Sequence, residues 1–243
     1  MSFLLSNAAL EGRIAEAGEI ERIGDLDFAS RLMQFEEIAN WRYSFAKRVL
    51  DLAIALPLSV ALFVPCLLIA FLVRVTSQGG AFYSEERIGR NGKPFRIKKF
   101  RSMYTAAEMA SREGADDGAH HHLFWRMRKH EADPRITPIG RFLRNWSIDE
   151  LPQLVNVIRG EMSLVGPRPI VKCEMQYYGQ YLPYYLAAMP GLSGLWQVSG
   201  RCNVEYDERV RLDASYVMDW KLREDFRILF RTIPAVLLRI GAK

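Results

Sequence analysis

The residues best suited to chemistry are two adjacent carboxylates, Asp149 and Glu150, which follow a basic segment. Arg135, Arg141 and Arg144 precede them, so cations and acids meet at one point of the chain. Arginines hold neighbouring carboxylates ionised and also bind phosphate oxygens. A carboxylate can attack phosphorus to give an acyl phosphate, while its neighbour holds a divalent cation that neutralises charge on the departing oxygens. The pattern therefore fits phosphoryl transfer.

A helix cap is the structural alternative for the same residues. Ser147-Ile-Asp-Glu150 fits a capping box, and on that interpretation the acids only complement the helix dipole. Pro152 strains this picture, because as the fifth helical residue it would lose a hydrogen bond, whereas a helix that starts later makes it the favoured first residue. Both versions place Asp149 and Glu150 at a helix N-terminus, whose partial positive charge also attracts phosphate.

Other candidate phosphate ligands lie on both sides of the acidic pair. Two prolines flank Arg168 and fix its backbone, so its guanidinium is presented rigidly for bidentate binding, although the segment also fits an ordinary loop. Lys98, Lys99 and Arg101 are close together and could face a phosphate, although clustered cations are usually a solvated face. The glycine-rich stretch 190–201 would let backbone amides approach a ligand closely.

The composition limits the class of protein. The chain has 243 residues, 49% of them apolar, which is enough for a sizeable core in one or two domains. Its net charge of +5 and pI near 9.1 favour an anionic partner, whether nucleic acid, membrane or phosphorylated substrate. Three widely separated cysteines and the adjacent histidines 120–122 predict neither a disulfide framework nor a zinc site. The few, separated cysteines indicate a reducing, cytosolic setting, and because no ordinary secretory signal peptide is visible, export is not expected.

An apolar segment is expected to bring these groups to a membrane. Leu52–Val73 contains no charged residue, and as a helix it would extend about 33 Å, enough to cross a bilayer core. Pro57 and Pro65 lie inside it, where each removes a helical hydrogen bond. Cations flank both of its ends, and cationic flanks prefer the cytoplasm, so both ends are expected on the same side. We therefore predict a helix that breaks near Pro65 and returns to the same face, giving a re-entrant, monotopic arrangement. A kinked single span is the alternative.

Three other segments complete the predicted organisation. Asn91-Gly92 marks a hairpin turn between two strands. Phe226–Ile240 mixes apolar residues with arginines and suits an interfacial helix, or a core helix with a solvated edge. Residues 1–40 hold eight acids against three arginines and predict a partly helical extension. The predicted divisions are this acidic extension, a membrane-embedded helix at 41–78 and a cytoplasmic catalytic domain at 79–243.

Taken in order, these motifs resemble the bacterial sugar transferases, the monotopic phosphoglycosyl transferase superfamily. The resemblance begins near Lys47 and covers about four-fifths of the chain. The segments that carry it are Lys47-Arg48-Val-Leu-Asp51, Lys99-Phe-Arg-Ser-Met103, Asp133-Pro-Arg-Ile-Thr-Pro-Ile-Gly140, Ser147-Ile-Asp-Glu-Leu-Pro-Gln153, Asn156-Val-Ile-Arg-Gly-Glu-Met-Ser163, Val165-Gly-Pro-Arg-Pro169, Pro190-Gly191, Trp196-Gln-Val-Ser-Gly-Arg201 and Leu212-Asp213 with Tyr216-Val217.

The resemblance implies transfer of a hexose 1-phosphate, with galactose or glucose favoured, from a UDP-sugar to polyprenyl (undecaprenyl) phosphate. UMP is released, and the step is the first membrane reaction of exopolysaccharide synthesis, at the cytoplasmic face of the bacterial inner membrane. Asp149 would be the nucleophile that forms a phosphosugar intermediate, Glu150 its acidic partner, and both would lie at Mg²⁺. Substrate contacts are assigned by the same resemblance to Lys99, Arg101, Arg144, Arg168, Gln197, Arg201 and Asp213.

The expected fold is a small, mixed α/β, membrane-associated catalytic domain with an N-terminal re-entrant, proline-broken helix and interfacial helices. Some relatives place Ser before the breaking proline, whereas this chain has Val64 before Pro65. Expected partners are membrane lipid and the two substrates, with a homodimer or later glycosyltransferases of the pathway left open. The alternative function is a catalytically silent membrane scaffold of a polysaccharide-assembly complex. Nucleic-acid binding is not expected, because acids are embedded among the arginines and an apolar segment is present.

Overall fold

The computed structural model describes residues 41–105, 108, 133, 135–200 and 204–239. The acidic extension 1–40, the histidines 120–122 and Arg201 lie outside these ranges, so the predictions made for them are not addressed by the structure. The described chain is mixed helix and sheet, as expected for the fold class.

The first element, α1, is one α-helix from Trp41 to Thr76, with Pro57 and Pro65 inside it. The predicted break at Pro65 is therefore not confirmed. In the described part of the chain, α1 is the one helix long and apolar enough to cross a membrane, with a mean hydropathy of 2.6 over its most apolar stretch. Its outer face is exposed, and the exposed fraction of Val60, for example, is 78%.

The beginning of α1 is tied to the globular part by buried polar contacts. Lys47 forms an ion pair of 2.8 Å with Asp225, and both residues are buried. The guanidinium of Arg48 donates to the carbonyl oxygens of residues 157 and 158. Asp51 accepts hydrogen bonds of 2.9 Å from the Ser163 hydroxyl and from the backbone N–H of Leu164. Because a buried charge is costly without partners, these contacts fix the register of α1.

The other end of α1 packs on the same globular part. Val73 is fully buried in a cluster with Phe100 and Leu143. Between the two ends, Leu62 packs against the largest buried cluster, which includes Leu154 and Val157, and Cys66 packs against the cluster around Val73. A stripe of α1 therefore faces the domain along most of its length, which places both helix ends on the same domain.

A β-hairpin follows α1. Strands β1 (Phe82–Ile88) and β2 (Pro94–Phe100) pair antiparallel, from Phe82 opposite Phe100 to Ile88 opposite Pro94. Asn91 and Gly92 in the connection have φ angles of 58° and 71°. Asn and Gly tolerate this left-handed region best, so local turn chemistry makes the hairpin as predicted.

Short helices and a second small sheet complete the fold. Strands β3 (Ser163–Val165) and β4 (Gly191–Ser193) pair in parallel. The α-helices are α2 (Pro138–Asn145), α3 (Leu154–Arg159), α4 (Leu182–Ala187), α5 (Leu195–Val198), α6 (Tyr206–Met218) and α7 (Leu222–Leu237). Single-turn or two-turn 3₁₀ helices cover Arg90–Gly92, Ile148–Gln153, Lys172–Tyr177 and Gly179–Tyr181.

Helix α7 exposes an apolar stripe, as the interfacial interpretation of this segment requires. Phe226, Phe230, Ile233 and Leu237 recur every three or four residues and are all exposed. Ile228 and Asp225 on the other side are buried. The guanidinium carbon of Arg239 lies 4.1 Å from the ring centre of Trp146, which places the end of α7 beside α2.

Candidate active site

The acidic pair lies in the first turn of the 3₁₀ helix Ile148–Gln153, so its predicted place at a helix N-terminus is confirmed. The capping box is not formed, because the Ser147 side chain makes no cap hydrogen bond. Ser147 instead adopts a left-handed backbone with φ 54°. A non-glycine residue in this region is strained, and such strain clusters at functional sites.

Lys99 reaches the acidic pair from strand β2, which packs against this 3₁₀ helix. Its Nζ lies 2.7 Å from Oε1 of Glu150. Asp149 is partly buried, and this burial raises its pKa to about 6, an effect that the charge of Glu150 increases. Lys99 and Arg144 act in the opposite direction and lower that pKa. The arrangement thus gives one ion-paired carboxylate beside a second one that is poorly solvated.

Arg168 joins the same electrostatic environment. Glu150 is near enough to favour the charged form of Arg168, whereas burial and the charges of Arg209 and Arg87 lower its pKa. The guanidinium carbon of Arg168 lies 5.5 Å from the ring centre of Trp196 on α5. The structure thus brings Lys99, Arg144 and Arg168 toward the acidic pair.

Arg101, which the sequence resemblance assigns to the substrate, contacts the end of α1 in the structure, and its substrate role stays a prediction. Only 7% of its surface is exposed. Its guanidinium donates to the Ser77 hydroxyl at 2.8 Å, to the Ser77 carbonyl and to the Gln78 carbonyl. Strand β2 ends at Phe100, so the strand alternation that would align Arg101 with Lys99 no longer applies. Arg101 anchors the end of α1.

The remaining assigned residues have mixed placements. Gln197 lies beside Trp196 on α5 and donates to the carbonyl of Leu192 at 3.1 Å. Asp213 on α6 is 2% exposed, and its Oδ2 accepts a 2.9 Å hydrogen bond from the Tyr178 hydroxyl. Direct contact of this buried carboxylate with a sugar is therefore not supported, and its contacts are with the protein.

Glycines of the stretch 190–201 bring two backbones together. A Cβ on Gly191 or Gly194 would collide with backbone atoms of Gly166, which follows β3. These glycines therefore allow β4 and the residues after it to approach the backbone that follows β3. The sequence-based expectation of a ligand at these amides is not supported at these two positions.

Sequence reasoning missed Arg209, Glu174 and Arg87, which form a buried group behind Arg168. Arg209 and Arg87 lie 3.5 and 3.8 Å from the oxygens of Glu174. Arg209 precedes Asp213 by one helical turn, so both lie on one face of α6. That spacing is the signal by which Arg209 could have been found.

Asp149 and Glu150 are the carboxylates of this site that could hold a divalent cation. Within the described residues, no cluster of three or more His, Cys, Asp or Glu side chains could hold an ion. Mg²⁺ keeps several waters and is commonly bound through one or two carboxylates together with substrate phosphates. Asp149 and Glu150 fit that mode of binding.

Stability is expected to fall as pH rises because of Asp213. Burial raises its pKa to about 7, although Arg209 and the hydrogen bond from Tyr178 oppose the shift. The folded protein therefore holds a proton that the unfolded chain, with an Asp pKa of about 3.9, has released, so unfolding becomes easier between about pH 4 and 7. Asp213→Asn has no such proton to release, so its stability lacks this dependence on pH. The melting temperature of the wild type minus that of the variant should fall from pH 5 to pH 8; a constant difference contradicts the prediction.

An apolar helix packed along a small α/β domain, with a carboxylate pair set among lysine and arginine, is typical of a membrane-associated enzyme domain. The family model described as bacterial sugar transferase matches residues 42–239. The chain therefore belongs to the bacterial sugar transferase family, and the resemblance recognised in the sequence is confirmed.

Curated relatives agree with this membership. The chain is 45% identical to the exopolysaccharide production protein ExoY of Sinorhizobium fredii, over 81% of this chain and 88% of that protein. It is 46% identical to the undecaprenyl-phosphate galactose phosphotransferase of Salmonella typhimurium, over 82% of this chain and 42% of that protein. It is 43% identical to the UDP-glucose:undecaprenyl-phosphate glucose-1-phosphate transferase of Caulobacter vibrioides, over 79% of this chain and 69% of that protein. The chain thus spans less than half of the Salmonella relative.

Proposed function

We propose that the protein transfers a hexose 1-phosphate, galactose or glucose, from a UDP-sugar to polyprenyl phosphate and releases UMP. The observation that carries this proposal is the poorly solvated Asp149 beside the Lys99–Glu150 ion pair, with Arg144 and Arg168 near them. The names of the Salmonella and Caulobacter relatives, which specify galactose and glucose transfer to undecaprenyl phosphate, support the substrate class.

In the first step, an Oδ of Asp149 attacks the β-phosphorus of the UDP-sugar. The bond between this phosphorus and the bridging oxygen breaks, and that oxygen leaves on UMP with the electron pair. The sugar phosphate stays on Asp149 as an acyl phosphate. Arg144 and Arg168 bind phosphate oxygens, because guanidinium groups match their geometry. Lys99 holds Glu150 and keeps its carboxylate in place.

In the second step, a phosphate oxygen of the polyprenyl phosphate attacks the same phosphorus. The bond to Asp149 breaks, the carboxylate is regenerated and the product is a polyprenyl diphosphate sugar. Because the enzyme holds the phosphosugar between the two steps, the soluble donor and the membrane-bound acceptor need not be bound together. Asp149 and Glu150 would hold Mg²⁺, which when bound would neutralise charge on the phosphate oxygens of the UDP-sugar.

The membrane placement belongs to the same proposal. The outer face of α1 and the exposed stripe of α7 enter the lipid at the cytoplasmic face of the inner membrane, while the stripe of α1 between Asp51 and Val73 stays on the domain. Lys47, Arg48 and Arg74 at the two ends of the apolar segment favour the cytoplasmic side, since cationic flanks are retained there.

This placement predicts that both ends of α1 face the same side. In a chain without its native cysteines, cysteines introduced at Val49 and Arg74, both at exposed positions, are expected to react with an impermeant maleimide only when it reaches the cytoplasmic side. Labelling is read in right-side-out and inverted vesicles. Reaction of the two positions from opposite sides would show a single span and contradict the placement.

Intact-protein mass spectrometry tests the reaction itself. The protein is incubated with single UDP-sugars, without acceptor, in the presence of Mg²⁺. We expect a mass increase equal to a hexose phosphate with UDP-galactose or UDP-glucose, located on Asp149 by peptide mapping, together with released UMP. Chelation of the metal should suppress both signals. Absence of an adduct and of UMP with every donor would favour the silent scaffold.

Lys99 provides a graded test of the site. Lys99→Met removes the partner of Glu150 and a charge that favours ionised Asp149, so UMP release is expected to slow about 10–100-fold, equivalent to about 1–3 kcal/mol. Lys98→Met is the matched control, because the Nζ of Lys98 lies 3.5 Å from the Ser84 hydroxyl and the substitution removes the same charge from the adjacent position of β2. Equal rates for the two variants would remove Lys99 from the mechanism.

A further inference from the structure

The segment 168–171, which carries Arg168, is held through its backbone by buried side chains from several elements. Four contacts involve residues whose exposure is below one-tenth: Arg168 N–H to Asp213 Oδ2 at 3.4 Å, Arg87 to the Pro169 carbonyl at 3.2 Å, Ile170 N–H to the Tyr185 hydroxyl at 3.1 Å and Val171 N–H to Glu174 Oε2 at 3.0 Å. Ile88 of β1 adds a backbone hydrogen bond to Ile170. Loops rarely have so many buried polar contacts, since loop backbones are usually solvated.

Asp213 contacts Arg168, the residue of this segment whose side chain is proposed to bind phosphate. Its Oδ2 receives both the backbone N–H of Arg168 and the Tyr178 hydroxyl, and α6 holds it 45 residues away in sequence from Arg168. The side chain of Arg168 extends from this fixed backbone toward Trp196. It lies near enough to Glu150 for that carboxylate to favour the charged guanidinium. A shift of the backbone would move the guanidinium relative to the acidic pair, and a misplacement of about 1 Å can cost about 100-fold in rate.

We propose that Asp213 is a positioning residue, which fixes the backbone of Arg168 so that its guanidinium stays at the Asp149–Glu150 site. This inference rests on the proposed function, because it takes Arg168 as a ligand of the donor diphosphate. It replaces the sequence-based role of Asp213 at the sugar with an indirect role through Arg168. The predicted signature is coupling: removal of Asp213 acts only while Arg168 is present.

A double-mutant cycle tests the coupling. UMP release is measured at saturating and limiting UDP-sugar for the wild type, Asp213→Ala, Arg168→Ala and the double variant, each normalised to folded protein. We expect Asp213→Ala to lower kcat/KM about 10–100-fold alone and less than about twofold in the Arg168→Ala background. Asp213→Asn keeps an acceptor oxygen and is expected to restore most of the rate. Equal factors in both backgrounds, or no rescue by asparagine, would overturn the proposal.

Asp225 supplies the matched control. It is also a fully buried aspartate that accepts from a tyrosine hydroxyl, Tyr216 at 2.6 Å, but its cation is Lys47. Asp225→Ala should change the rate by the same factor with and without Arg168, because it acts on folding alone. If Asp213→Ala does not fold, Tyr178→Phe removes the hydroxyl that holds Asp213 and must show the same coupling.

Binding separates this inference from the proposed function. The same cycle is repeated on the affinity for UDP, measured by calorimetry. A wild type that binds UDP but releases no UMP contradicts the proposed function, and the coupling of Asp213 to Arg168 is then decided by the binding cycle. A wild type that turns over with uncoupled variants contradicts only the positioning role. Failure of the wild type to bind UDP overturns the positioning role directly.

Discussion

Asp149→Asn is expected to abolish the reaction, with UMP release reduced by more than about 1,000-fold and no phosphosugar adduct detectable. The amide keeps the size of the carboxylate but cannot form the acyl phosphate, and loss of a covalent nucleophile typically costs several orders of magnitude. Its environment also changes little, because Glu150 keeps its ion pair with Lys99. UMP release and the intact mass after incubation with donor are the two measurements.

Asp207→Asn is the control for this substitution. Asp207 is exposed in the first turn of α6, so it matches Asp149 in its place at a helix N-terminus but lies outside the site. We expect wild-type rates from it. An Asp149→Asn protein that retains full UMP release, or that still gains a hexose phosphate, would exclude Asp149 as the nucleophile.

The second large effect is expected on the membrane side. Glutamate at Val60, Val64 and Leu67 places three charges on the exposed face of α1, each costing about 3 kcal/mol in a lipid environment. The variant should no longer float with vesicles. It should still release UMP from the soluble donor, because the acidic pair and its cations are untouched, but transfer to polyprenyl phosphate in vesicles should be lost.

The control for this variant adds negative charge at exposed polar positions instead. Lys172, Gln176 and Gln180 are exposed on the 3₁₀ helices before α4, and glutamate there should leave vesicle binding and lipid product unchanged. Thermal unfolding confirms that both triple variants are folded. Vesicle flotation of the α1 variant at the wild-type level would mean that this face does not enter lipid.

Local features were readable from the sequence because short-range chemistry determines them. Asn91 and Gly92 predicted the hairpin, since few other residues adopt a left-handed turn easily. Asp149 and Glu150 were expected at a helix N-terminus, and they lie there although the helix is 3₁₀ and the cap of Ser147 is absent. The apolar character of α1 followed from composition alone. The family resemblance followed from the order of the motifs along the chain.

The tertiary structure decided what each polar residue contacts. Lys99 and Arg101 are two positions apart, yet one reaches Glu150 and the other the end of α1, because the strand ends between them. Asp213 is buried against the backbone of Arg168 by the packing of α6, a contact that no local pattern specifies. Whether a charged side chain meets a substrate or another part of the chain depends on long-range packing, which sequence spacing alone does not determine.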